Sequence, residues 1–530
     1  MSKILILNFG TSHDFIDSIN LIAAQKAEYP RSQIEVMTFK KFEGLTPIIN
    51  HVHKFHFVDE KMINQILENP LYSDAFAINQ FTQDLEGCLG ESWDKVINYA
   101  NDNFSSYLIS ALESHELIGS RIDSNGIVRS SNQWSIYQNF VASQLNRQVL
   151  SKAFVRNHIA EIPLHSCYET IKIHPDYSMV AGQNFNRIRQ MNGSATSIVI
   201  GLNLNNGHDG YQIDIDVYSD IIETLSDAQD FAVVLLLSGE NYQRQMANEL
   251  NKRFDNKLIS INIDTIALPS VLSNIDTIVS SSNDQLAIAN LMEVRTIELR
   301  DAEAKTKTPL SSFNGNYIIY QNEKSHMASD ITLALNEEFG TQLPIDFLNT
   351  TNPTYKVVKD DYGVFQTQIR GDINIQEELR YHIERSFFLQ LFGYPKNASL
   401  FEHIKENTEP EVLVSFVSHL RSELTSTVKI LLATLRSLKG VKTSKSNLNS
   451  FIGYLDNLIL TGKENTLVSS CIRLFEGKIE NINTNDIDSN IKAIEDNLFE
   501  LKANLQILTN IMSDLTDNEK QTQERVIQTE

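Results

Sequence analysis

Cysteine and positive charge are both scarce in this sequence. The three cysteines, Cys88, Cys167 and Cys471, lie too far apart for a zinc site or a disulfide framework, so we expect buried thiols in a reducing compartment. Aspartate and glutamate number 67 against 45 lysines and arginines, which gives a formal net charge of −22. Nucleic-acid binding depends on Lys and Arg side chains that displace counterions from phosphates, so this balance argues against a nucleic-acid groove.

Long hydrophobic runs are missing as well. The longest ones, such as Phe231 to Leu237, fall far short of the roughly 20 residues that a membrane helix needs. The N-terminus reads as a strand at once, without the basic leader, apolar core and small-residue cleavage site of a signal peptide. We therefore expect a cytoplasmic protein with no transmembrane segment, for which peripheral attachment at the cytoplasmic face of the inner membrane stays open.

The length of 530 residues suggests about three domains at roughly 150 residues each. Strand-like and helical segments alternate over the first two thirds, as in parallel sheets covered by helices, and the pattern after Ile375 is mostly helical. The predicted fold class is therefore α/β, with two similar domains at residues 1–178 and 194–340 and a helical bundle or coiled-coil extension at 372–530. Within the first part we predict a long helix from Ser135 to about His158 and a polar linker from Met179 to Gly193.

The first strand leads into the most informative turn of the chain. Ile4 to Phe9 form a nearly unbroken apolar run, which is typical of a parallel strand buried on both faces. Gly10 and Thr11 then turn the chain into a helix whose first turn contains Asp14. This position lies beyond the carboxyl end of the strand, where open α/β sheets bind ligands. An acid there is either a helix cap or a catalytic base, and spacing alone leaves both open.

The second α/β domain repeats this arrangement of buried strands followed by polar loops. Ile198 to Leu202 is a strand followed by the turn-rich loop Asn203 to Gly210, and Phe231 to Leu237 is followed by the tight loop Ser238 to Glu240. A third strand ends at a predicted helix start, Ser281 to Asn283. Hydroxyl and amide groups at a helix N-terminus are suited to binding an anionic group.

Three histidines, His51, His53 and His56, form the only spacing that suggests a metal site. No cysteine stands at a ligand-like distance from them, and their period of two also suits an exposed strand or loop. We predict no metal.

The C-terminal third is predicted to contain five helices, which are Glu377–Leu391, Pro410–Leu438, Asn447–Leu460, Thr466–Phe475 and Asp486–Leu515. Asn349 to Gly371, which precedes them, reads as a loop with one or two short strands. The last helix carries apolar residues at alternating spacings of four and three from Ile487 to Leu515, which defines one apolar seam. That seam packs either inside an intramolecular bundle or against a second copy or another protein through residues 486–515. The charged tail after Thr516 is expected to be frayed.

Three stretches of the first 335 residues resemble glycosyltransferase family 9, the lipopolysaccharide heptosyltransferase-like family. The opening KILILNFGTSHDFIDSINLI with EYPRSQIEVMTF is similar to that family's first strand, Gly-Asp turn, helix and second strand. The segment WDKVINYANDNFSSYLISAL, with LIGSRIDSNG after it, resembles the family's mid-domain strand, loop and helix. SNIDTIVSSSNDQLAIANLMEVRTIEL resembles its donor-site strand and helix. The resemblance implies two Rossmann-like domains in the GT-B arrangement, with Asp14 as the general base.

The sequence departs from the family pattern at several positions. His13 replaces the glycine before the aspartate, and Asn20 replaces a proline in the first helix. In the donor site, the family's Asp-x-Gly-x-x-His pattern falls on Ser282, Asp284 and Ala287. The family's phosphate-binding lysine has no counterpart in the loop NLNNGHDG.

The resemblance implies an inverting glycosyltransferase that uses a nucleotide sugar as its substrate and needs no further cofactor. It would transfer a heptose-like or other sugar to a glycan or glycolipid acceptor of the lipopolysaccharide type. The candidate donor-binding residues are Thr11, Ser12, His13, Gly201, Asn203, Gly239, Glu240, Ser281, Ser282 and Asn283. The altered donor motif leaves two alternatives open: a catalytically inactive binding or scaffold protein that acts through its helical region, and another GT-B enzyme such as an epimerase.

Overall fold

The computed structural model describes residues 2–68, 74–99, 102–145, 147–163, 170–191, 197–207, 210–226, 230–303, 315–345, 350–360, 362–395, 404, 408–441, 445–464, 466–483 and 486–529. Among these residues, no helix is both long enough and apolar enough to cross a membrane. Cys167 and part of the loop NLNNGHDG, His208 and Asp209, lie outside the described residues.

The first sheet has five parallel strands in the order β3-β2-β1-β4-β5. The strands are β1 (Lys3–Asn8), β2 (Gln33–Phe39), β3 (Val52–Val58), β4 (Ser92–Asn98) and β5 (Glu113–Ile118). The connecting helices are α1 (Ser12–Glu28), α2 (Glu60–Glu68), α3 (Asp74–Leu89) and α4 (Asn103–Ala111). The apolar run Ile4 to Leu7 is fully buried because β1 is the central strand, as predicted.

The region after β5 differs from the prediction. A hairpin of β6 (Ser120–Ile122) and β7 (Val128–Ser130) comes first. The single long helix predicted from Ser135 to His158 is wrong, since the chain forms α5 (Gln133–Ile136) with a short π and 3-10 continuation, and α6 (Lys152–Ile159) starts separately. The predicted linker from Met179 is also wrong, because α7 (Pro175–Met191) occupies it and buries Ala181, Phe185 and Ile188.

The second sheet has eight strands in the order β10-β9-β8-β11-β12-β13-β14-β15. The strands are β8 (Ile198–Asn203), β9 (Phe231–Leu237), β10 (Ile259–Asn262), β11 (Thr277–Ser281), β12 (Arg295–Asp301), β13 (Tyr317–Gln321), β14 (Thr354–Asp360) and β15 (Gly363–Arg370). The helices are α8 (Ile215–Ser226), α9 (Asn241–Arg253), α10 (Leu268–Leu272), α11 (Asp284–Leu291) and α12 (Met327–Phe339). The first six strands are parallel and the last two form an antiparallel hairpin on β13. The sheet therefore extends past the predicted boundary at residue 340.

The chain divides into two compact units by its internal contacts. The first contains residues 2–131 and 150–373, with both sheets, and the second contains residues 132–149 and 374–529. This division differs from the predicted range 1–178, because residues 132–149 pack with the C-terminal helices. The two Rossmann-like sheets followed by a helical region are nevertheless the predicted α/β architecture.

The helical unit is built from α13 (Ile375–Leu391), α14 (Pro410–Leu438), α15 (Lys445–Thr461), α16 (Leu467–Glu480) and α17 (Ile487–Thr529). All five helices were predicted, but the last continues through the tail that was expected to be frayed. Its seam from Leu498 to Leu515 is buried, and the helix packs against α13, α14 and α16. The intramolecular bundle therefore occupies this part of the seam.

Residues 132–149 form part of the core of this helical unit. Trp134 stacks on Phe392 with ring centroids 3.8 Å apart, and Arg385 donates to the carbonyl of Val149 at 2.8 Å. Arg147 pairs with Glu378. Burial opposes ionisation of Glu378, but Arg147 outweighs it and lowers the pKa of this carboxyl to about 2.

Candidate functional site

The two sheets each have a point where the strand order reverses, and polar side chains gather at both. In the first sheet this point lies between β1 and β4, and in the second it lies between β8 and β11. Ligands of open α/β sheets bind outside the carboxyl ends of the strands at such points. The helices that follow β1 and β11, α1 and α11, pack against each other within the first compact unit.

Asp14 lies at the reversal point of the first sheet and interacts with two cations. Its Oδ1 is 3.1 Å from Lys152 Nζ and 3.0 Å from Arg156 Nη2, while its Oδ2 accepts from the Thr11 N–H at 3.1 Å. Thr11 is the N-cap of α1 and accepts in return from the Asp14 N–H, which completes a capping box. Asp14 therefore has a capping role, and its side chain is also the centre of an ion-pair cluster.

Asn8 and Gly10 shape the turn that presents Asp14. The buried Asn8 side chain accepts from the Gly10 N–H at 3.2 Å and donates to the Asp14 carbonyl at 2.8 Å. A Cβ atom on Gly10 would stand 2.7 Å from Asp14 Oδ2, closer than two such atoms approach. Glycine is therefore needed here so that the carboxylate can fold back over the turn.

Arg156 joins this cluster to the end of β4. Its guanidinium carbon lies 4.1 Å from the ring centroid of Tyr99, which directly follows β4. Tyr99 is itself tied to β1, because its N–H donates to the Leu7 carbonyl at 2.9 Å. Burial lowers the pKa of Arg156, but Tyr99 and the carboxylates of Asp14 and Asp17 outweigh burial and raise it. The arginine is fixed and permanently charged.

The electrostatics of the cluster act on the basicity of Asp14. Burial opposes ionisation of the carboxyl, but Arg156, Lys152 and the Thr11 N–H together hold its pKa well below the usual range. A carboxylate with so low a pKa is a weak proton acceptor at neutral pH. Asp14 is therefore held in its ionised form by its cationic partners.

The second sheet carries a neutral polar network at its reversal point. The buried amide of Asn203, the last residue of β8, donates to Ser280 Oγ at 2.9 Å and to Asn283 Oδ1 at 3.3 Å. Asn283 is the N-cap of α11 and accepts from the Leu286 N–H at 3.1 Å. Ser281 Oγ donates to the Asn205 carbonyl at 2.7 Å. These bonds tie the ends of β8 and β11 to the start of α11.

The same network extends to the loop after β9. Gln243, buried on α9, accepts from the Ser238 N–H at 2.7 Å and its amide donates to Asn205 Oδ1. Ser238 Oγ also donates to Asn205 Oδ1 at 2.8 Å, and the Tyr242 hydroxyl accepts from the Asn206 N–H at 3.0 Å. The loops after β8, β9 and β11 are therefore held by amides and hydroxyls.

The charged residues next to this network are few. Asp284 follows Asn283 in the first turn of α11, and Arg244 lies near Gly239, with Nη2 3.7 Å from where a Cβ on that glycine would stand. Gly239 has φ of 95°, a left-handed conformation that glycine adopts at little cost. The start of α11 thus combines hydroxyl and amide groups with the carboxylate of Asp284.

The predicted site residues fall into three groups. Asn203, Ser281, Ser282 and Asn283 lie together at the reversal point of the second sheet, and Thr11, Ser12, His13 and Asp14 lie together at that of the first. Gly239 and Glu240 lie on the loop after β9, where Glu240 is the N-cap position of α9.

Gly201 is a correction to the predicted set. It lies inside β8, where a Cβ would stand 2.9 Å from Leu236 Cδ1 and 3.1 Å from Ile275 Cδ1. Its lack of a side chain serves packing between the sheet and its neighbours, and it lies away from the loop edge. We therefore remove it from the candidate ligand-binding residues.

Sequence reasoning missed the residues that surround the predicted ones. Lys152 and Arg156 are four residues apart on one helix, which would have indicated a basic helix face, but nothing local linked them to Asp14. The side chains of Asn205 and Gln243 were missed because each belongs to a polar loop or helix without a motif. Only the packing of α6 on α1 and the order of the strands bring these groups together.

The histidine and cysteine predictions have mixed outcomes. His51 and His53 are exposed, as expected for a loop and an edge strand, but His56 is buried against Glu35 at 2.5 Å. Burial lowers the pKa of His56, and burial raises the pKa of the Cys88 thiol to about 12. Cys88 and Cys471 are buried thiols. No group of three or more His, Cys, Asp or Glu side chains suited to a metal ion occurs in the described ranges.

Comparisons with known proteins find similarity at the level of solved structures. No family model matches the sequence, and no curated protein matches it. The chain is similar to a family 9 glycosyltransferase from Veillonella parvula at 13% identity and a TM-score of 0.43, over 65% of this chain and 90% of that one.

Two further structures illustrate the range of these similarities. The E. coli heptosyltransferase WaaC with ADP-2-deoxy-2-fluoro heptose matches at 13% identity and a TM-score of 0.43, over 63% of this chain and 99% of that one. The UDP-GlcNAc 2-epimerase of Neisseria meningitidis bound to UDP-GlcNAc matches at 15% identity and a TM-score of 0.33, over 63% and 91%. These similarities to solved structures cover about two thirds of this chain and nearly the whole of the matched chains.

Proposed function

We propose that this protein is a divergent GT-B glycosyltransferase. It transfers a heptose-like or other sugar from a nucleotide-sugar donor to a hydroxyl group of a glycan or lipopolysaccharide-type acceptor, with inversion at the anomeric carbon. Its place of action is the cytoplasm, at the inner face of the membrane where such an acceptor would be presented. The observation that carries the proposal is the ionised carboxylate of Asp14 at the reversal point of one sheet, with a cluster of neutral donors at that of the other.

The neutral cluster supports donor binding at the second sheet. The first backbone N–H groups of α11 and the hydroxyl of Ser282 are suited to phosphate oxygens, and the buried amides of Asn203 and Asn283 hold this helix start in place. Asp284 in the same turn opposes an anion, so we place the diphosphate on the side of the helix start away from this carboxylate. The altered signature residues therefore leave hydroxyl and backbone donors at this helix start, with the carboxylate of Asp284 beside them.

The Asp14 turn supports acceptor activation at the first sheet. The acceptor oxygen forms a bond to the anomeric carbon as the bond from that carbon to the donor phosphate oxygen breaks. The hydroxyl proton passes to the Asp14 carboxylate, and the nucleoside diphosphate leaves with the bonding electron pair. General-base assistance of this kind contributes about 10²–10⁴-fold to a rate.

The test combines a transfer assay with a matched pair of variants. Wild type, Asp14→Asn and Asp123→Asn are incubated with ADP- and UDP-sugars and phosphorylated glycan acceptors, and product is measured by mass spectrometry. Asp123 is the matched control because it forms another buried ion pair, 2.7 Å from Arg129 Nε in the β6-β7 hairpin. We expect Asp14→Asn to lower kcat by about 10²-fold or more, since an amide does not take up the proton, while Asp123→Asn keeps the wild-type rate.

Binding to the second sheet is tested separately with Asn283→Ala. We expect this variant to weaken stabilisation by the nucleotide sugar, whereas Asp14→Asn leaves a nucleotide-dependent rise in melting temperature intact. Product formation unaffected by Asp14→Asn would overturn the assigned base. Absence of both transfer and nucleotide binding would overturn the enzyme and favour a binding protein that acts through its helical unit.

A further inference from the structure

The cations around Asp14 outnumber the carboxylate that they contact. Lys152 and Arg156 both approach Asp14 Oδ1, so two positive charges share one oxygen atom. Arg156 is 8% exposed, and its Nε and Nη1 atoms are buried without a hydrogen-bond acceptor in the part of the chain that the structure describes. A buried guanidinium with unused donors is costly unless another anion joins the cluster.

Two helix N-termini reinforce the positive potential at this point. Asp14 is the third residue of α1, which has 17 residues, and Lys152 is the first residue of α6, which begins at its N-cap Ser151. The partial positive charge of a helix N-terminus favours anions within the first turn. Asp17 and Tyr99 also interact electrostatically with Arg156.

The location makes the cluster accessible to a substrate. It lies beyond the carboxyl ends of β1 and β4, the expected ligand edge of the first sheet. The Lys152 side chain is 24% exposed and that of Asp14 is 14% exposed, so the pair is reached from solvent while Arg156 stays buried behind it.

We propose that Lys152 and Arg156 bind a phosphate group of a substrate, and that this phosphate displaces Asp14 from its ion pairs and so releases it as the catalytic base. In the free protein the Asp14 carboxylate occupies the phosphate position beside Lys152 and Arg156, and these ion pairs keep it from acting as a base. Binding of the correct substrate exchanges one anion for the other, which couples recognition to activation. The inference rests on the proposed function for its catalytic part, whereas the phosphate site itself does not.

The phosphate has two sources with the same chemistry. It belongs either to the diphosphate of the donor or to a phosphate on the sugar acceptor. The donor source would extend the nucleotide site from the second sheet to the first, and it would replace the lysine missing from the loop after β8. The acceptor source would make Lys152 a specificity determinant for phosphorylated glycans.

The experiment measures binding by isothermal titration calorimetry with three probes: inorganic phosphate, ADP, and glucose 6-phosphate as a phosphorylated sugar. Wild type is compared with Lys152→Gln, Asp14→Asn and the control Asp123→Asn. We expect Lys152→Gln to lower the affinity for inorganic phosphate about tenfold or more, since one charge-assisted hydrogen bond is lost. We expect Asp14→Asn to raise the affinity for inorganic phosphate several-fold, because the competing carboxylate is gone. A purely structural role for Asp14 predicts a lower or unchanged affinity.

The remaining probes distinguish the two sources. If Lys152→Gln loses affinity for ADP but keeps its affinity for glucose 6-phosphate, the site binds the donor phosphate. If it loses affinity for glucose 6-phosphate but keeps its affinity for ADP, the site binds the acceptor phosphate. If phosphate binding depends on Lys152 but the protein has no transferase activity, the phosphate site is supported and the proposed enzymatic function is rejected. A third outcome is that the protein transfers sugar, but neither Lys152→Gln nor Asp14→Asn changes its affinity for phosphate, ADP or glucose 6-phosphate. This outcome would overturn the phosphate site and support the proposed enzyme.

Discussion

The first strand of each sheet ends in an asparagine whose side chain stabilises the following turn, but the residues around the two asparagines differ. Asn8 ends β1 and Asn203 ends β8, and in each case the side-chain oxygen accepts from the N–H two residues later while the amide ties down the next helix or strand. Around Asn8 lie a carboxylate and two cations, whereas around Asn203 lie serine hydroxyls and amides. The same loop geometry thus supports an ion-pair cluster in one sheet and a network of amides and hydroxyls in the other.

This contrast fits a division of labour between the two domains. A charged cluster can change protonation or exchange ion partners, and it is suited to chemistry. A network in which each hydroxyl and amide is bonded to another is rigid, and it is suited to positioning a ligand. In the proposed function, the first sheet accordingly supplies the catalytic base and the second binds the donor.

The largest effect should come from removing the buried cation of the first sheet. Arg156→Met leaves Asp14 short of a partner and Tyr99 without the stacked guanidinium, so we expect the free energy of unfolding to fall by about 3–5 kcal/mol. Arg244→Met, an exposed arginine beside the second sheet, should change it by less than about 0.5 kcal/mol. Urea denaturation measures both, and equal effects would contradict the contrast between the edges.

The two strand-end asparagines should have similar effects despite their different surroundings. Asn8→Ala and Asn203→Ala each remove the acceptor of one part-buried N–H and the donor of a buried amide, and we expect each to lower the free energy of unfolding by about 2 kcal/mol. Neither loss should depend on pH between 5 and 8, because no titratable partner is removed. A pH-dependent loss for Asn203→Ala would show that its network is not neutral.

Asp14→Asn should be distinguished from these variants by its pH dependence. The folded pKa of Asp14 is depressed, so its stabilisation is fully present above the unfolded value of about 3.9 and is lost as pH falls towards the folded value. We expect wild type to exceed Asp14→Asn by about 2 kcal/mol from pH 7 down to about pH 5, and the difference to shrink below about pH 4. Denaturation curves across this range measure it, and a difference that grows in acid would reject the ion-pair assignment.

The smallest effect is expected at the glycine removed from the candidate site. Gly201→Ala places a methyl group against the flexible ends of Leu236 and Ile275, so we expect a loss of about 1 kcal/mol and unchanged nucleotide affinity. Thermal unfolding and calorimetry on one sample provide both values. A large loss of affinity with little loss of stability would restore Gly201 to the donor site.

Local patterns predicted much of the fold because they reflect local causes. The apolar run Ile4 to Leu7 and the alternation of strand-like and helical segments predicted both sheets. The heptad spacing of α17 predicted the apolar seam that is buried from Leu498 to Leu515. The failures lie where a local pattern did not decide the outcome. The hydrophobic period from Ser135 continues into α6, but the chain passes from the helical unit to the first unit between residues 149 and 150, and one helix does not span both. The hairpin of β14 and β15 joined the second sheet by pairing with β13, which no turn signal indicates.

The sequence by itself determined the position of Asp14 after the first strand, the order of strands, polar loops and helices in the second sheet and the helical character of the last third. These features depend on residues within one or two turns of each other, where capping and periodicity act. Tertiary structure alone decided that Asp14 meets Lys152 and Arg156, more than 130 residues away in the chain, and that Asn203 meets Ser280 and Asn283. The reason is that strand order and helix packing bring distant segments to one edge, and no local interaction encodes which charges will meet there.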